Sequence, residues 1–191
     1  IIYDYDDNNI KKLFRLGSWS SLVPLSLKNK KDVKWKLIYQ RKKYLLNKKE
    51  LKMDMIGIHN FKNASLAIIA ASLIKIPISK SLNAIKEFSG VSRRMEKIDT
   101  IKHLPYKDFN NIVDVFDDFA HHPTEIKYSI TSLKEKYKGK KLLSICEIKS
   151  NSMLRGTHKE ELYNALKISD LSLIISTKKI NWKFSKSNNN K

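Results

Sequence analysis

Four polar side chains that could bind a ligand or transfer a proton lie together near the middle of the chain. An apolar run over residues 112–116 predicts a buried parallel strand, and two aspartates and two histidines follow it: Asp117, Asp118, His121 and His122. A helical pattern begins just after Pro123. Ligands of open α/β folds bind beyond the carboxyl ends of strands, where loops meet helix N-termini. These side chains are therefore a candidate site; in the alternative interpretation, the acids only cap the next helix and the histidines are incidental.

Two asparagines three residues apart form a second candidate group. Asn60 is predicted to be the N-cap of a helix, and Asn60 and Asn63 then lie on the same side of its first turn. A carboxamide both donates and accepts hydrogen bonds, as recognition of an adenine edge requires. The alternative is a purely structural helix, in which four alanines form a face for close packing: Ala64, Ala67, Ala70 and Ala71.

Cationic side chains complete the set of candidate residues. Arg93 and Arg94 are adjacent, and a planar guanidinium suits phosphate oxygens better than an ammonium does. Taken alone, adjacent arginines are typical of a solvated basic turn. Lys149, Ser150 and Asn151 lie in a polar loop after a second apolar run, so this loop is a candidate for substrate contact.

The four segments that carry these residues resemble, in order and spacing, the motifs of the Mur ligases. Residues 117–125 resemble D-D-Y-A-H-H-P-T-E, and residues 57–71 are similar to G-x-H-N-x-x-N-x-x-A-A. Residues 88–96 resemble F-x-G-V-x-R-R-x-E, and residues 147–162 resemble E-P-R-S-N-T-M-x-x-G-x-x-K-x-x-L. The resemblance extends over nearly the whole chain.

The resemblance implies an ATP-dependent ligase that joins amino acids or peptides to a UDP-muramyl precursor of the bacterial cell wall through an acyl phosphate. It implies that ATP is bound by residues from three of the motifs: His59, Asn60, Asn63, Arg94 and Asp118. His121 and Arg94 are the implied catalytic residues, with His121 near the nucleotide and the incoming amine. Mg²⁺ is the implied metal, and its ligands are expected outside these residues, so no metal ligand is assigned here.

Within the family, residues 147–162 resemble the branch that joins L-Ala-γ-D-Glu-meso-diaminopimelate to UDP-N-acetylmuramate during peptidoglycan recycling. The implied substrate-binding residues are Lys149, Ser150, Asn151 and Met153. The chain departs from the motif at three positions: Ile148 for proline, Lys149 for arginine and Ser152 for threonine. Two alternatives stay open. One is a sibling ligase that adds L-alanine, and the other is a non-catalytic remnant that binds nucleotide or nucleic acid.

The elements that must position these residues predict an α/β chain in two parts. Residues 1–92 are expected to be the end of a central ATPase domain, with short strands and hairpins before a pair of helices. Trp19 and Trp35 are expected in its core or on a sheet face. The second of the two helices is predicted over residues 79–88, with Leu82, Ile85 and Phe88 as its apolar stripe.

Residues 93–191 are expected to be an incomplete, Rossmann-like C-terminal domain. A β-α-β-α-β pattern predicts parallel strands joined by crossover helices. The predicted strands cover residues 112–116, 141–148 and 171–176, and the predicted helices cover residues 124–137 and 159–167.

Composition narrows the class of protein. Of the 191 residues, 41% are hydrophobic, which is ample for a core, and no apolar stretch approaches the ~18 residues of a membrane span. The formal net charge of +19 would suit nucleic acid, but the lysines are spread along the whole chain, and ATP or a UDP-sugar would gain from the same field. The single Cys146 predicts a core thiol in a reducing cytoplasm.

The sequence also predicts a fragment. It contains no G-x-x-G-K-[ST] pattern, the glycine-rich loop that binds phosphates in the family. We therefore expect the 191-residue chain to be inactive alone, with the missing regions in the same longer protein or in a separate polypeptide. UDP-N-acetylmuramate and the murein tripeptide are the expected substrates, no membrane partner is expected, and the expected location is the cytoplasm.

Overall fold

The chain folds into two compact units, Ile1–Gly90 and Val91–Lys191. The computed structural model describes residues 1–102 and 112–184. The predicted boundary after residue 92 lies close to this division. Both units combine helices with sheets, so the predicted α/β class is confirmed. In the described part of the chain, no helix is long and apolar enough to cross a lipid bilayer.

The first unit contains a five-stranded mixed sheet. Its strands follow one another in sequence order: β1 (Ile2–Asp4), β2 (Val23–Ser26), β3 (Trp35–Gln40), β4 (Lys43–Leu46) and β5 (Lys49–Glu50). β1, β2 and β3 pair in parallel, whereas β3, β4 and β5 pair antiparallel. The hairpin between β3 and β4 turns at Arg41 and Lys42, both with positive φ, as a two-residue hairpin turn favours.

The parallel pairing at the start of this unit was not predicted, because the sequence pattern indicated hairpins. Parallel neighbours need a crossover connection, and the short helix α1 (Asn8–Phe14) lies between β1 and β2. Asp7 caps α1 by accepting hydrogen bonds from the backbone N–H groups of Asn9 at 2.7 Å and Ile10 at 3.4 Å.

The helix with the asparagine pair, α2 (Ile58–Leu73), begins earlier than predicted. Gly57 precedes it with a φ of 93°, a value that glycine adopts without steric cost. Asn60 is therefore the third residue of the helix, and the prediction that it is the N-cap is wrong. Its side-chain Nδ2 donates instead to the carbonyl of Ile56 at 2.6 Å.

The predicted alanine face of α2 also needs correction. The buried face consists of Asn60, Ala64, Ser65, Ile68 and Ile69, whereas Ala67 and Ala70 are exposed. The isoleucines fill the contact with the sheet and form the core with residues such as Leu25 and Leu37. Larger apolar side chains bury more area than alanine, which explains which face turns inward.

A second helix, α3 (Ile78–Glu87), packs against the same core. Ile78, Leu82 and Ile85 make this contact. The prediction that Phe88 belongs to the apolar stripe is wrong, because this side chain is 42% exposed. Trp35 is buried as predicted. The prediction for Trp19 is wrong, because this side chain is 99% exposed in the loop between α1 and β2.

In its described residues, the second unit contains two pairs of strands and three helices. β6 (Glu96–Ile101) pairs antiparallel with β7 (Val113–Asp117), and β8 (Leu143–Glu147) pairs in parallel with β9 (Leu171–Ile175). The helix α4 (Pro123–Lys136) follows β7. The helices α5 (Asn151–Leu154) and α6 (Lys159–Leu166) lie between β8 and β9.

The predicted strands and helices of this unit are confirmed to within about two residues, apart from the pairing of β7. β6 was not predicted, and its antiparallel pairing with β7 replaces the expected parallel neighbour. The core forms where α4 and α6 pack beside β8 and β9, through residues such as Ile126, Ile130, Ile148 and Leu162. Burial raises the pKa of the Cys146 thiol, in agreement with the predicted interior position.

Candidate functional site

A cavity of about 590 Å³ in the second unit connects the two motif loops of that unit. Its polar lining includes Arg93, Asp117, Asp118, His121, Lys149 and Ser150. Its apolar lining includes side chains of α4 and β8, such as Ile130 and Ile145. Four residues that the sequence singled out for different parts of a ligand therefore lie on one cavity: Asp118, His121, Lys149 and Ser150.

Asp118 is oriented by two hydrogen bonds within the unit. Its Oδ1 accepts from the backbone N–H of Ala120 at 3.1 Å, and its Oδ2 accepts from the hydroxyl of Ser129. An ionised carboxylate has about four acceptor positions, so two internal bonds leave room for hydroxyl groups of a ligand. The sequence reasoning missed Ser129. No local signal in the sequence marked it, because Ser129 and Asp118 are eleven residues apart and belong to different elements.

The two arginines lie against one aromatic ring, that of Phe119. The guanidinium carbons of Arg93 and Arg94 are 5.5 and 5.6 Å from the ring centroid, within the range of cation–π attraction. The Nε of Arg93 also donates to Asp117 at 2.9 Å, and its carbonyl accepts from the N–H of Phe119 at 2.7 Å. Phe119 thus places both cations beside the acidic residues of the motif.

His122 and Glu125 form a capping box at the start of α4. His122 Nδ1 accepts from the N–H of Thr124 at 3.2 Å, and Glu125 Oε2 accepts from the N–H groups of His121 at 3.3 Å and His122 at 3.4 Å. Burial acts to raise the pKa of Glu125, but the two N–H donors and the nearby His121 and Arg94 side chains outweigh it, so this pKa lies below its usual range. His122 is therefore the N-cap of α4, whereas the alternative interpretation gave the capping role to the acids and no role to the histidines.

His121 differs from His122 because its ring is largely exposed and lines the cavity. Its Nδ1 lies 3.1 Å from the carbonyl oxygen of Phe119 and 3.7 Å from Oε2 of Glu125. A carbonyl only accepts hydrogen bonds, so the first contact places a proton on Nδ1 and leaves Nε2 of the neutral ring as an acceptor. A ring in this tautomer is able to accept a proton from a ligand.

The loop after β8 is fixed by main-chain contacts. The N–H of Ile148 donates to the carbonyl of Ile175 at 2.8 Å, extending the pairing of β8 with β9. Proline, which the motif has at this position, could not donate this bond. Lys149 pairs with Glu147 at 2.8 Å, and the hydroxyl of Ser150 accepts from the N–H of Met153 at 3.4 Å as the N-cap of α5.

Asn151 and Met153 occupy contrasting positions in this loop. Asn151 is exposed at the start of α5, next to the cavity-lining Ser150. Met153 is only 3% exposed and packs in the core of the second unit. This burial disagrees with the expectation that its side chain lines a peptide pocket, because the core needs an apolar side chain at this position.

The remaining candidate residues lie in the first unit, on the first turn of α2. His59 is half-buried, Asn60 is buried and bonded to Ile56, and Asn63 is exposed one turn later. The side chain of Asn63 is therefore accessible, whereas Asn60 stabilises the loop that precedes the helix.

A metal centre is not assembled in the described ranges. Among residues 1–102 and 112–184, no group of three or more His, Cys, Asp or Glu side chains could hold a metal ion. The carboxylates at the cavity instead have protein partners, namely Arg93 for Asp117 and Ser129 for Asp118.

Comparisons with known sequences match the chain to Mur ligases, although no family model matches it. The UDP-N-acetylmuramate–L-alanyl-γ-D-glutamyl-meso-2,6-diaminoheptandioate ligase of Haemophilus influenzae is 33% identical over 134 residues, which cover 70% of this chain and 28% of that protein. The UDP-N-acetylmuramate–L-alanine ligase of Pelagibacter ubique is 32% identical over 168 residues, covering 81% of this chain and 34% of that protein. The chain thus spans about a third of the length of these relatives.

Solved structures give the same result for the fold. A murein peptide ligase from Psychrobacter arcticus superposes with a TM-score of 0.61 at 24% identity, over 93% of this chain and 43% of that one. The UDP-N-acetylmuramate–alanine ligase of Thermotoga maritima gives a TM-score of 0.58 at 22% identity, over 92% of this chain and 42% of that one. Both similarities extend over the two units.

Proposed function

We propose that this chain, which belongs to the Mur ligase family, forms part of an ATP-dependent ligase that adds an amino acid or a peptide to a UDP-muramyl precursor of the cell wall. One observation carries the proposal: the acidic-histidine loop after β7 and the Lys149–Ser150 loop after β8 line the same cavity. One loop has the groups that suit a nucleotide, and the other has the groups that suit a polar substrate. We place this reaction in the cytoplasm.

In the proposed reaction, the muramyl carboxylate attacks the γ-phosphorus of ATP, which releases ADP and forms an acyl phosphate. The amine of the incoming group then attacks the acyl carbon, and inorganic phosphate leaves as the amide forms. Asp118 accepts hydrogen bonds from the ribose hydroxyls, using the acceptor positions that Ala120 and Ser129 do not occupy. Arg94 stabilises phosphate charge from its place over Phe119. His121, through Nε2, accepts a proton from the attacking amine.

The remaining contacts to ATP come from the first unit in this proposal. Asn63 reads the adenine edge, and His59 and Asn60 shape that site from the same helical turn. The phosphate-binding loop and the Mg²⁺ ligands belong to the rest of the ligase, in the same longer protein or in a separate polypeptide.

For the substrate, we propose the murein tripeptide L-Ala-γ-D-Glu-meso-diaminopimelate and UDP-N-acetylmuramate. The Ser150-Asn151-Ser152-Met153 loop supports this choice, together with the 33% identity to the Haemophilus influenzae ligase that is named for these compounds. Ser150 and Asn151 supply polar contacts and Lys149 a positive charge for a peptide carboxylate. The 32% identity to the Pelagibacter ubique ligase favours L-alanine as the second candidate.

The test uses the chain alone and a chimera in which the Haemophilus influenzae relative supplies the regions that this chain does not span. Phosphate release and product mass are measured with ATP, UDP-N-acetylmuramate and either the tripeptide or L-alanine. We expect the chimera, but not the chain alone, to release phosphate and form the tripeptide product. Turnover of L-alanine in preference to the tripeptide would support the second candidate, a ligase that adds L-alanine. Absence of turnover with either amine would contradict the proposal that the chain is part of a ligase.

The Asp118→Asn substitution tests the nucleotide site within this chimera. Loss of the charge weakens hydrogen bonds to the ribose, each worth about 1.5–3 kcal/mol when one partner is charged, so KM for ATP should rise by about tenfold or more. Asp114→Asn is the matched control, since Asp114 lies on β7, the strand that leads to Asp118, but pairs with Lys97 and Thr100. An unchanged KM for ATP in Asp118→Asn would contradict the assigned role.

A further inference from the structure

The segment after β9 packs alternate side chains onto the second unit. Ile180, Trp182 and Phe184 contact the core, whereas Asn181 and Lys183 are exposed. The ring of Trp182 lies 5.3 Å from that of Phe184, which in turn lies 5.4 Å from Tyr163 of α6. This row of aromatic rings attaches the segment to α6, on one side of the loop after β8.

Trp182 also makes polar contact with the short helix α5. Its indole Nε1 lies 3.1 Å from the carbonyl oxygens of both Met153 and Leu154, so one N–H is shared between the last two carbonyls of the helix. Helix C-termini leave such carbonyls without partners inside the helix. A helix of four residues is too short to be stable by itself, so contacts of this kind determine whether α5 forms.

Gly156 allows the close approach of the indole. It follows α5 with a φ of 72°, its N–H donates to the Met153 carbonyl at 3.0 Å, and the N–H of Thr157 donates to the Ser152 carbonyl at 3.1 Å. This pair of bonds is the Schellman arrangement that ends a helix at glycine. A Cβ at Gly156 would lie 2.7 and 2.8 Å from two ring carbons of Trp182, so the glycine is needed for both its backbone angle and its lack of a side chain.

We infer that Trp182 is a positioning residue for the substrate loop: its indole N–H and its contact with Gly156 fix α5, and α5 in turn fixes Ser150 and Asn151 at the cavity. Ser150 is the N-cap of α5 and lines the cavity, so any rotation of this one-turn helix moves it directly. The link to a substrate rests on the proposed function, whereas the effect of Trp182 on the loop does not.

The loop itself is tested in the 191-residue chain by amide hydrogen exchange. Trp182→Phe keeps an aromatic ring against Gly156 but removes the N–H donor. We expect the amides of Leu154, Gly156 and Thr157 to exchange about three- to tenfold faster than in the unsubstituted chain, because one hydrogen bond contributes roughly a factor of this size. Equal exchange rates in the two proteins would overturn the inference.

Two control variants separate the hydrogen bond from other effects. Trp19→Phe makes the same chemical change at a fully exposed position of the other unit, and it should leave all exchange rates of the loop unchanged. Phe184→Leu weakens the packing of the segment but keeps the indole donor, so the loop amides should change less than in Trp182→Phe. A larger effect of Phe184→Leu would assign the stabilisation to packing alone and overturn the role of the N–H.

Kinetics of the chimera test the positioning role. Trp182→Phe should raise KM for the tripeptide about three- to tenfold and leave KM for ATP unchanged, since the nucleotide contacts lie on other loops. A merely destabilised protein would instead lose active fraction, which lowers kcat without changing either KM. If the unsubstituted chimera has no ligase activity, the proposed function fails, while the exchange experiment still decides the inference about the loop. Faster exchange with an unchanged tripeptide KM would overturn the positioning role.

Discussion

The loops after β7 and β8 reach the same cavity but are stabilised by different kinds of contact. In the first loop, ionisable side chains satisfy the backbone: Glu125 accepts from two N–H groups and His122 from a third. In the second loop, main-chain bonds, a glycine and a half-buried indole make the corresponding contacts. One loop is therefore sensitive to protonation, and the other is sensitive to volume and backbone conformation.

The difference follows from where each loop places its functional groups. The first loop presents its ionisable groups at the cavity, with Asp118 and His121 oriented by neighbours in the same short stretch. The second presents Lys149 and Ser150, whose positions depend on residues that are distant in sequence, such as Ile175 and Trp182. Local contacts are easier to read from a motif than contacts between distant parts of the chain, and the accuracy of the sequence-based predictions reflects this.

The largest expected effect is on the second loop and comes from Gly156→Ala. The new Cβ meets the Trp182 ring, and alanine is strained at a φ of 72°, so the free energy of unfolding should fall by about 2–4 kcal/mol. Gly139→Ala is the matched control, because Gly139 has a φ of 78° but a Cβ added there would meet nothing within 4 Å. It should lose only the conformational part, about 1–2 kcal/mol. Urea unfolding of both variants measures the difference.

Adding Trp182→Ala to Gly156→Ala sharpens this prediction. Removing the indole removes the steric conflict, so the double variant should be more stable than the sum of the two single effects predicts, by about 1 kcal/mol or more. Strict additivity would show that the glycine is required only for its backbone angle. It would also weaken the contrast between the two loops.

A smaller effect is expected from Ile148→Pro, which introduces the residue of the family motif. The substitution removes the N–H that donates to Ile175 and trims a side chain that is 1% exposed, so about 2 kcal/mol of stability should be lost. Ile148→Val keeps the N–H and should lose about 1 kcal/mol. Equal losses in urea unfolding would mean that the main-chain bond contributes nothing, and that this departure from the motif is neutral.

Much of the second unit could be predicted because its signals are local. Apolar runs locate β7, β8 and β9, and Pro123 marks the first position of α4. The pairing of β7 with β6 could not be predicted, because β6 has the sequence Glu-Lys-Ile-Asp-Thr-Ile and lacks a strong apolar pattern. The α/β class could be predicted from the alternation of strands and helices alone, and the high net charge of the chain does not obscure that alternation.

Individual side chains were harder to predict than elements. Met153 was assigned to a substrate pocket from its motif position, yet it packs in the core, since a motif records which residue is present and not which way it points. Asn60 was assigned to a cap because asparagine favours that position, but the positive φ of Gly57 starts the helix earlier. The roles of His59, Asn60, Asn63, Arg94, Asp118 and His121 toward a ligand stay predictions.

The smallest expected effect is on the first loop, whose contribution to stability should depend on pH, whereas that of the second loop should not. The pKa of Glu125 lies below its usual range in the folded chain, so its ionised form stabilises the fold above pH ~4.3, and this contribution is lost as pH falls through the folded-state pKa. Glu125→Gln keeps an acceptor oxygen but has no charge to titrate. Near pH 7 it should cost about 0.5–1 kcal/mol, the usual contribution of a helix cap.

The difference in unfolding free energy between the unsubstituted chain and Glu125→Gln should therefore shrink from about pH 7 to about pH 3. Other carboxylates with lowered pKa, such as Asp114 and Asp170, titrate in both proteins and cancel in this difference.

Amide exchange at both loops shows which loop the change in pH destabilises. Acid should accelerate opening at the start of α4 in the unsubstituted chain while α5 changes little, because its contacts with Trp182 and Gly156 contain no titrating group. Parallel loss of protection at both loops would show that they open as one unit, and the contrast between them would then be confined to chemistry and not extend to stability.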